Sequence, residues 1–299
     1  MIETAQSEVG ALTRVVVKHA RDAFRGAAAI AAEWRAHGFT APPDFATAVR
    51  EYDRFLELLS AAGAAVDVLP PAAGAGLDSI YVRDASIVCD RGVILCRMGK
   101  PLREGEPAAQ EALFRAIGYR ILGSIAPPGR LEGGDIVWLD RRTVAVGRGY
   151  RTNDAGIAQL RELLGDAVDE LIVVHLPHWR GPSDVFHLMS IISPVDRDLA
   201  VVYSPLMPVA FRERLLGRGV SLVEVPDEEF ASMGANVLAL APRRCVMLAG
   251  NPVTQSWLER AGADVMLYGG HDISLKGGGG PTCLTRPLRR SDPPPDLPE

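Results

Sequence analysis

One supersecondary unit recurs along this 299-residue chain, and the recurrence limits the folds open to it. The unit is a helix, a glycine stop, a short apolar strand and a hairpin. Residues 44–62 place Phe45, Val49, Tyr52, Phe55, Leu56 and Leu59 at helical spacing, and Gly63 follows as a stop. Residues 65–69 read as a strand, and 86–89 with 93–96 as a hairpin turning at Asp90-Arg91-Gly92. The same order returns with helices near 106–117, 154–164, 208–218 and 252–261. The last copy lacks a second hairpin strand, which the N-terminal strand at 12–17 would supply by closing the units into a ring. Five units joined head to tail predict a single α/β domain over residues 1–290, a pseudo-symmetric five-bladed α/β-propeller. A Pro-rich tail, 291–299, is predicted to be disordered.

The charge pattern narrows the partners. The net charge is −5 and the basic residues are scattered singly, so no nucleic-acid footprint is expected. No apolar run reaches membrane-spanning length, and the first residues lack the basic-then-apolar layout of a secretory signal. Neither a membrane nor a nucleic acid is therefore an expected partner; oligomeric state stays open, a homodimer included. The four cysteines, Cys89, Cys96, Cys245 and Cys283, show no metal-ligand spacing. The first three fall in apolar strand-like runs, and a reduced, cytoplasmic protein with no metal is the expectation.

In such a ring, the residues just ahead of each hairpin's first strand should face a common axis. Read in register they are Asp84, then Glu132 and Asp135, then His187, then Asn236, with Cys283 from the last unit. Cys283 follows four glycines, 277–280, which read as a hinge that lets a ligand reach the thiol. A cysteine nucleophile needs an acid for its leaving group, and His187 supplies one. His271 is a rival nearer in sequence, but the register favours His187. Asp84 and Glu132 are suited to a planar cation bound through charge-assisted hydrogen bonds. A guanidinium would meet these demands and would also favour the thiolate. Taken singly, each residue is ambiguous: Asp84 could pair with a surface arginine, His187 could be a core histidine, and Glu132-Gly133-Gly134-Asp135 could be a plain turn.

Five windows in order resemble the guanidine-modifying superfamily of arginine deiminases, amidinotransferases and dimethylarginine dimethylaminohydrolases. They are Tyr81-Val82-Arg83-Asp84, Leu131-Glu132-Gly133-Gly134-Asp135, Gly149-Tyr150-Arg151-Thr152-Asn153, His187-Leu188, and the glycine run into Cys283. The resemblance implies the five-bladed pentein fold and a cofactor-free covalent mechanism on a small guanidino substrate. Cys283 would attack the guanidinium carbon, and His187 would protonate the departing amine and then activate water. Asp84 and Glu132 would hold the guanidinium nitrogens, with Asp78 as a further carboxylate; Arg151 and Arg103 would pair with a substrate carboxylate. Deiminases and amidinotransferases carry His-x-Asp where this chain has His187-Leu188-Met189. The lost acceptor, and a thioether that could accommodate N-methyl groups, put dimethylarginine hydrolysis ahead of arginine deimination and amidino transfer. Arg83 ahead of Asp84 is more deiminase-like. A ribosome anti-association factor shares the fold without catalysis and would need none of these residues.

Overall fold

The structure is a computed structural model and describes residues 2–182, 184 and 186–292. The first blade begins with β1 (Ile2–Thr4) and β2 (Ala11–Val17), continues through α1 (Ala20–Phe24), α2 (Ala27–Glu33) and α3 (Phe45–Ala61), and reaches β3 (Ala65–Val68). The second is β4 (Ser86–Cys89), β5 (Gly92–Leu95), α4 (Glu106–Ala116) and β6 (Ile121–Ser124). The third is β7 (Ile136–Trp138), β8 (Thr143–Arg148), α5 (Asp154–Leu164) and β9 (Glu170–His175). The fourth is β10 (Ile192–Asp196), β11 (Leu199–Val202), α6 (Val209–Gly217) and β12 (Ser221–Glu224). The fifth follows a short α7 (Asp227–Phe230) and contains β13 (Val237–Ala241), β14 (Arg244–Leu248), α8 (Pro252–Arg260) and β15 (Asp264–Tyr268). The chain ends on β16 (Arg286–Asp292).

Every blade repeats one topology: an antiparallel hairpin, then a helical crossover, then a third strand parallel to the second. The first blade takes its opening strand from the far end of the chain. β16 pairs antiparallel with β2, Arg286 opposite Val16 and Ser291 opposite Ala11, and β2 pairs parallel with β3. The ring closes as the missing hairpin strand required. Ser291 and Asp292 were expected in a loose tail; instead they lie opposite Glu3 and Ile2 of β1, because that strand offers a ladder to complete. The remaining tail residues, 293–299, lie outside the described residues.

Local chemistry accounts for the crossovers. Asp44 caps α3 by accepting from the Thr47 backbone N–H at 2.7 Å. Ala48, Tyr52, Phe55 and Leu59 of that helix are buried, and the Phe55 ring lies 5.0 Å from that of Tyr268 on β15. Asn153 caps α5 by accepting from Gly156 N–H at 2.9 Å. The core lies where neighbouring blades meet. Val137 and Ala145 of the third blade pack with Val201, Val237 and Met247 of the next two, while Val15 and Val17 pack with Leu238 and Val246. Each fully buried aliphatic side chain contributes roughly 1.5–3 kcal/mol. Among the described residues no helix is long and apolar enough to cross a membrane.

Candidate active site

Asp84, Glu132, His187, Asn236 and Cys283 each sit in the turn leading into the first strand of a different blade, so the ring gathers them at one end. The turns are tied to one another. Gly133 N–H donates to Asp84 O at 2.9 Å and Arg83 N–H to Cys283 O at 3.2 Å. Leu188 N–H donates to Asp135 Oδ1 at 3.0 Å, and Thr282 N–H to Asn236 Oδ1 at 3.1 Å. Gly134 has no alternative here: a Cβ would stand 2.5 Å from His187 Nδ1 and 2.8 Å from Asp84 Oδ1. Glu-Gly-Gly-Asp is thus a spacer that lets three turns meet.

Glu132 is wholly buried and heavily bonded. Its Oε2 accepts from His187 Nε2 at 2.7 Å, and Arg151 Nη1 lies 3.1 and 3.2 Å from its two oxygens. Gly99 N–H donates to Oε1 at 2.8 Å, and the Glu132 backbone N–H is held by Thr152 Oγ1 at 3.2 Å. Burial alone would raise its pKa, but His187 and Arg151 outweigh that and hold the carboxyl well below the usual range. Burial works against the His187 imidazolium too. The charges of Asp84, Asp135 and Glu132 prevail and push its pKa up to about 9. Asp135 goes the other way: burial raises its carboxyl to about 6 despite His187. At neutral pH the site therefore holds an imidazolium against an ionised Glu132.

Asp84 presents two different oxygens. Its Oδ2 accepts from Arg103 Nη1 at 2.6 Å, while Oδ1 finds no hydrogen-bond partner among the described residues and lies 3.9 Å from His187 Nδ1. That oxygen is an open acceptor facing the imidazole. Cys283 is the partly exposed member of the set. Its Sγ receives Asn236 Nδ2 at 3.6 Å. Burial raises the thiol pKa and the Asp84 charge raises it further, so the thiol carries its proton.

The structure redistributes several expectations. Arg103 is held within the protein. Besides Asp84 it donates to Glu106 at 2.9 and 2.8 Å and to Tyr81 O at 2.9 Å, all buried. The Arg103-to-Glu106 spacing within one turn was the available sequence signal. Asp78 is engaged by Lys100 and lies 3.1 Å from His37 Nδ1. Arg151 is in the site, but on Glu132. His271 is exposed and pairs with Asp272. Met189 is buried in the core between the third and fourth blades, with Leu188 and Ile191, rather than presented to a ligand. Gly277 and Gly279 have a steric reason to be glycine: a Cβ at either would collide with the Tyr81 ring, and one at Gly280 with Asn236. The run is a packed shelf under Cys283, its Gly278 and Gly279 N–H groups bonded to Ser274 O at 2.8 and 3.2 Å.

Sequence reasoning gave no signal for Gly99, whose backbone N–H orients Glu132, and used Thr152 only as a motif letter. One ligand atom each from Asp84, Glu132 and His187 lies within 4.8 Å of the others, a spacing that could also hold a metal ion. Their bonding suits an organic cation better: His187 Nε2 is directed at Glu132, whose two oxygens both face a guanidinium.

Solved structures share the ring. A dimethylarginine dimethylaminohydrolase from Pseudomonas aeruginosa, complexed with citrulline, superimposes with a TM-score of 0.73 at 23% identity, covering 93% of this chain and 99% of that one. An amidinotransferase of saxitoxin biosynthesis from Microseira wollei gives 0.78 at 18% identity, covering 96% and 97%. The fold is that of the guanidine-modifying superfamily. Within it the chain belongs to the arginine deiminase family, whose signature matches residues 78–216 and 207–290. A dimethylarginine dimethylaminohydrolase from Streptomyces coelicolor is 30% identical across 82% of this chain and 88% of its own length. An arginine deiminase from Mycobacterium marinum is 30% identical across 71% of this chain and 60% of its own. The chain is an amidine hydrolase acting on C–N bonds, close to the dimethylarginine dimethylaminohydrolases.

Proposed function

We propose that the protein hydrolyses N,N-dimethylarginine to citrulline and dimethylamine through a thiouronium intermediate on Cys283. One observation carries the choice of a guanidino group: both central carboxylates already hold guanidinium groups of the chain itself, Arg103 on Asp84 and Arg151 on Glu132. A substrate guanidinium takes the place of Arg151 on Glu132 and the open Oδ1 of Asp84, which frees Arg151 for the substrate carboxylate. Arg103 keeps Asp84 aimed.

The cation lowers the cost of the Cys283 thiolate, so the thiol proton leaves to solvent and the sulfur attacks the guanidinium carbon and forms an S–C bond. The His187 imidazolium passes its proton to the departing nitrogen, and the C–N bond breaks to release dimethylamine. Neutral His187 then takes a proton from water as the water adds to the thiouronium carbon. The S–C bond breaks, the hydroxyl proton of the adduct passes to the sulfur, citrulline leaves, and the thiol and imidazolium are restored. Support for the methylated substrate comes from the missing third acceptor: Leu188 and Met189 follow His187 with apolar, buried side chains, and Asp135 is spent on the Leu188 N–H. A guanidinium nitrogen without a carboxylate partner suits a dimethylated one. Deimination of unmethylated arginine is the second reading, favoured by the family match and by Arg83 ahead of Asp84. Assaying dimethylarginine, arginine and agmatine side by side for ureido product tests both. We expect dimethylarginine to give the highest kcat/KM; faster arginine turnover overturns the substrate, and no turnover of any guanidine overturns the mechanism.

A further inference from the structure

Asn236 touches the reacting sulfur but carries no step of the hydrolysis. Two side chains reach Cys283 Sγ among the described residues, Asn236 Nδ2 at 3.6 Å and Thr282 Oγ1 at 3.9 Å. The amide can be oriented only one way. Its Oδ1 accepts from the Thr282 backbone N–H at 3.1 Å and from Thr282 Oγ1 at 2.9 Å. A flipped amide would set its NH2 group against that backbone N–H, donor against donor. Nδ2 is therefore the end that faces the sulfur. The Thr282 hydroxyl has one proton and gives it to Asn236, so toward Sγ its oxygen can only accept. Of the two side chains, the amide is the donor.

The fold is shaped to hold this amide in place. Asn236 is buried in the turn ahead of β13. Ser193 on β10 brackets it, its Oγ donating to Ala235 O at 2.7 Å and accepting from Val237 N–H at 3.0 Å. The Asn236 N–H donates to Met233 O at 2.9 Å, and Met233 takes φ 69°, a left-handed backbone that is costly for a residue with a side chain. Gly280 leaves the room on the other side, since a Cβ there would stand 2.4 Å from Asn236 Oδ1 and 2.5 Å from its Cγ.

We propose that Asn236 is the hydrogen-bond donor to the Cys283 thiolate, aiming the sulfur and favouring its ionised form; this rests on the reading of Cys283 as the nucleophile. An ionised acceptor takes a stronger hydrogen bond than a neutral thiol, so the donor shifts the balance toward the thiolate. That offsets part of what burial and Asp84 do against it. In the S–C adduct the sulfur is a weak, thioether-like acceptor, so the bond acts on the free thiolate rather than on the intermediate.

Alkylation of Cys283 by iodoacetamide across a pH series, read by peptide mass spectrometry on the full chain, follows the ionisation directly. Peptide mapping separates Cys283 from the buried Cys89, Cys96 and Cys245. Asp84, Arg83, Tyr81 and Tyr268 are the charged and titratable groups that act on the sulfur, and Asn236→Ala keeps all four. That variant should raise the inflection by about one pH unit or more. Ser193→Ala loosens the same turn without removing the donor; it should lower the melting temperature and keep the inflection. An unmoved inflection in Asn236→Ala, or an equal rise in Ser193→Ala, overturns the proposal. In the wild type, an Asn236 side-chain amide proton should move downfield in NMR spectra through the same inflection. A flat resonance overturns the proposal even where Asn236→Ala does not fold. Alkylation needs no turnover, so loss of this hydrogen bond is told apart from failure of the proposed hydrolysis.

Discussion

The same chemical pair, a guanidinium against a carboxylate, is built at both ends of the ring and does different work at each. At the hairpin-turn end the pairs stand in water. Arg142 meets Asp169 with side chains 48% and 69% exposed, Arg218 meets Asp140, and Arg243 meets Asp198. Such pairs contribute about 0–1 kcal/mol each, because solvent screens them and ordering long side chains costs entropy. At the other end Arg103 meets Asp84 and Arg151 meets Glu132, with side chains at most 6% exposed. There each charge depends on its partner, and removing one leaves the other stranded. The contrast teaches that a buried pair depends on both partners, while an exposed one only decorates a turn.

The largest break in that contrast should come from Glu132→Gln. It removes the charge that His187 and Arg151 share, and kcat should fall about 10²–10⁴-fold. A steady-state assay giving a loss under twofold would show that the buried pair is scaffolding only.

The next effect is a pH dependence. The His187 pKa is raised to about 9 from 6.5, so its contribution to stability is fully present below 6.5 and is lost as pH rises through about 9. The shift corresponds to at most about 3 kcal/mol. Urea midpoints should fall between pH 7 and 10 in the wild type and fall less in His187→Gln. Parallel curves would contradict the buried imidazolium.

A smaller effect is expected at the glycine shelf. Gly279→Ala pushes a methyl into Tyr81 and should cost about 1–3 kcal/mol, read as a lower urea midpoint. An unchanged midpoint would restore the hinge reading. Smallest of all, Asp140→Asn at the exposed end should change stability by less than about 0.5 kcal/mol and leave kcat alone; a larger loss would mean that the exposed pairs matter more than their setting allows.

How much of this was legible from the residues follows the same divide. The blades were readable because each needs its own apolar periodicity and glycine stop, and the closing role of the strand at 12–17 followed from one blade lacking a partner. Asp84, Glu132, His187, Asn236 and Cys283 were readable because they occupy equivalent turns. The partners of Arg103, Asp78 and Met189 were not readable, because nothing in a repeat says which way a loop side chain points. Arg103 turned inward to Glu106, Asp78 to Lys100 and His37, and Met189 into the core. The glycines preceding Cys283 looked loose because their tight neighbour, Tyr81, is nearly two hundred residues away in sequence, a distance that pattern does not span.

The central claim is that Cys283 bonds covalently to a guanidino carbon. Acid-quenching the enzyme during turnover of dimethylarginine and mapping the peptides by mass spectrometry tests it directly. The account predicts an adduct on the peptide carrying Cys283, absent from Cys283→Ser, which should also be inactive. An adduct on Cys89, Cys96 or Cys245 instead, or sustained turnover by Cys283→Ser, would contradict it.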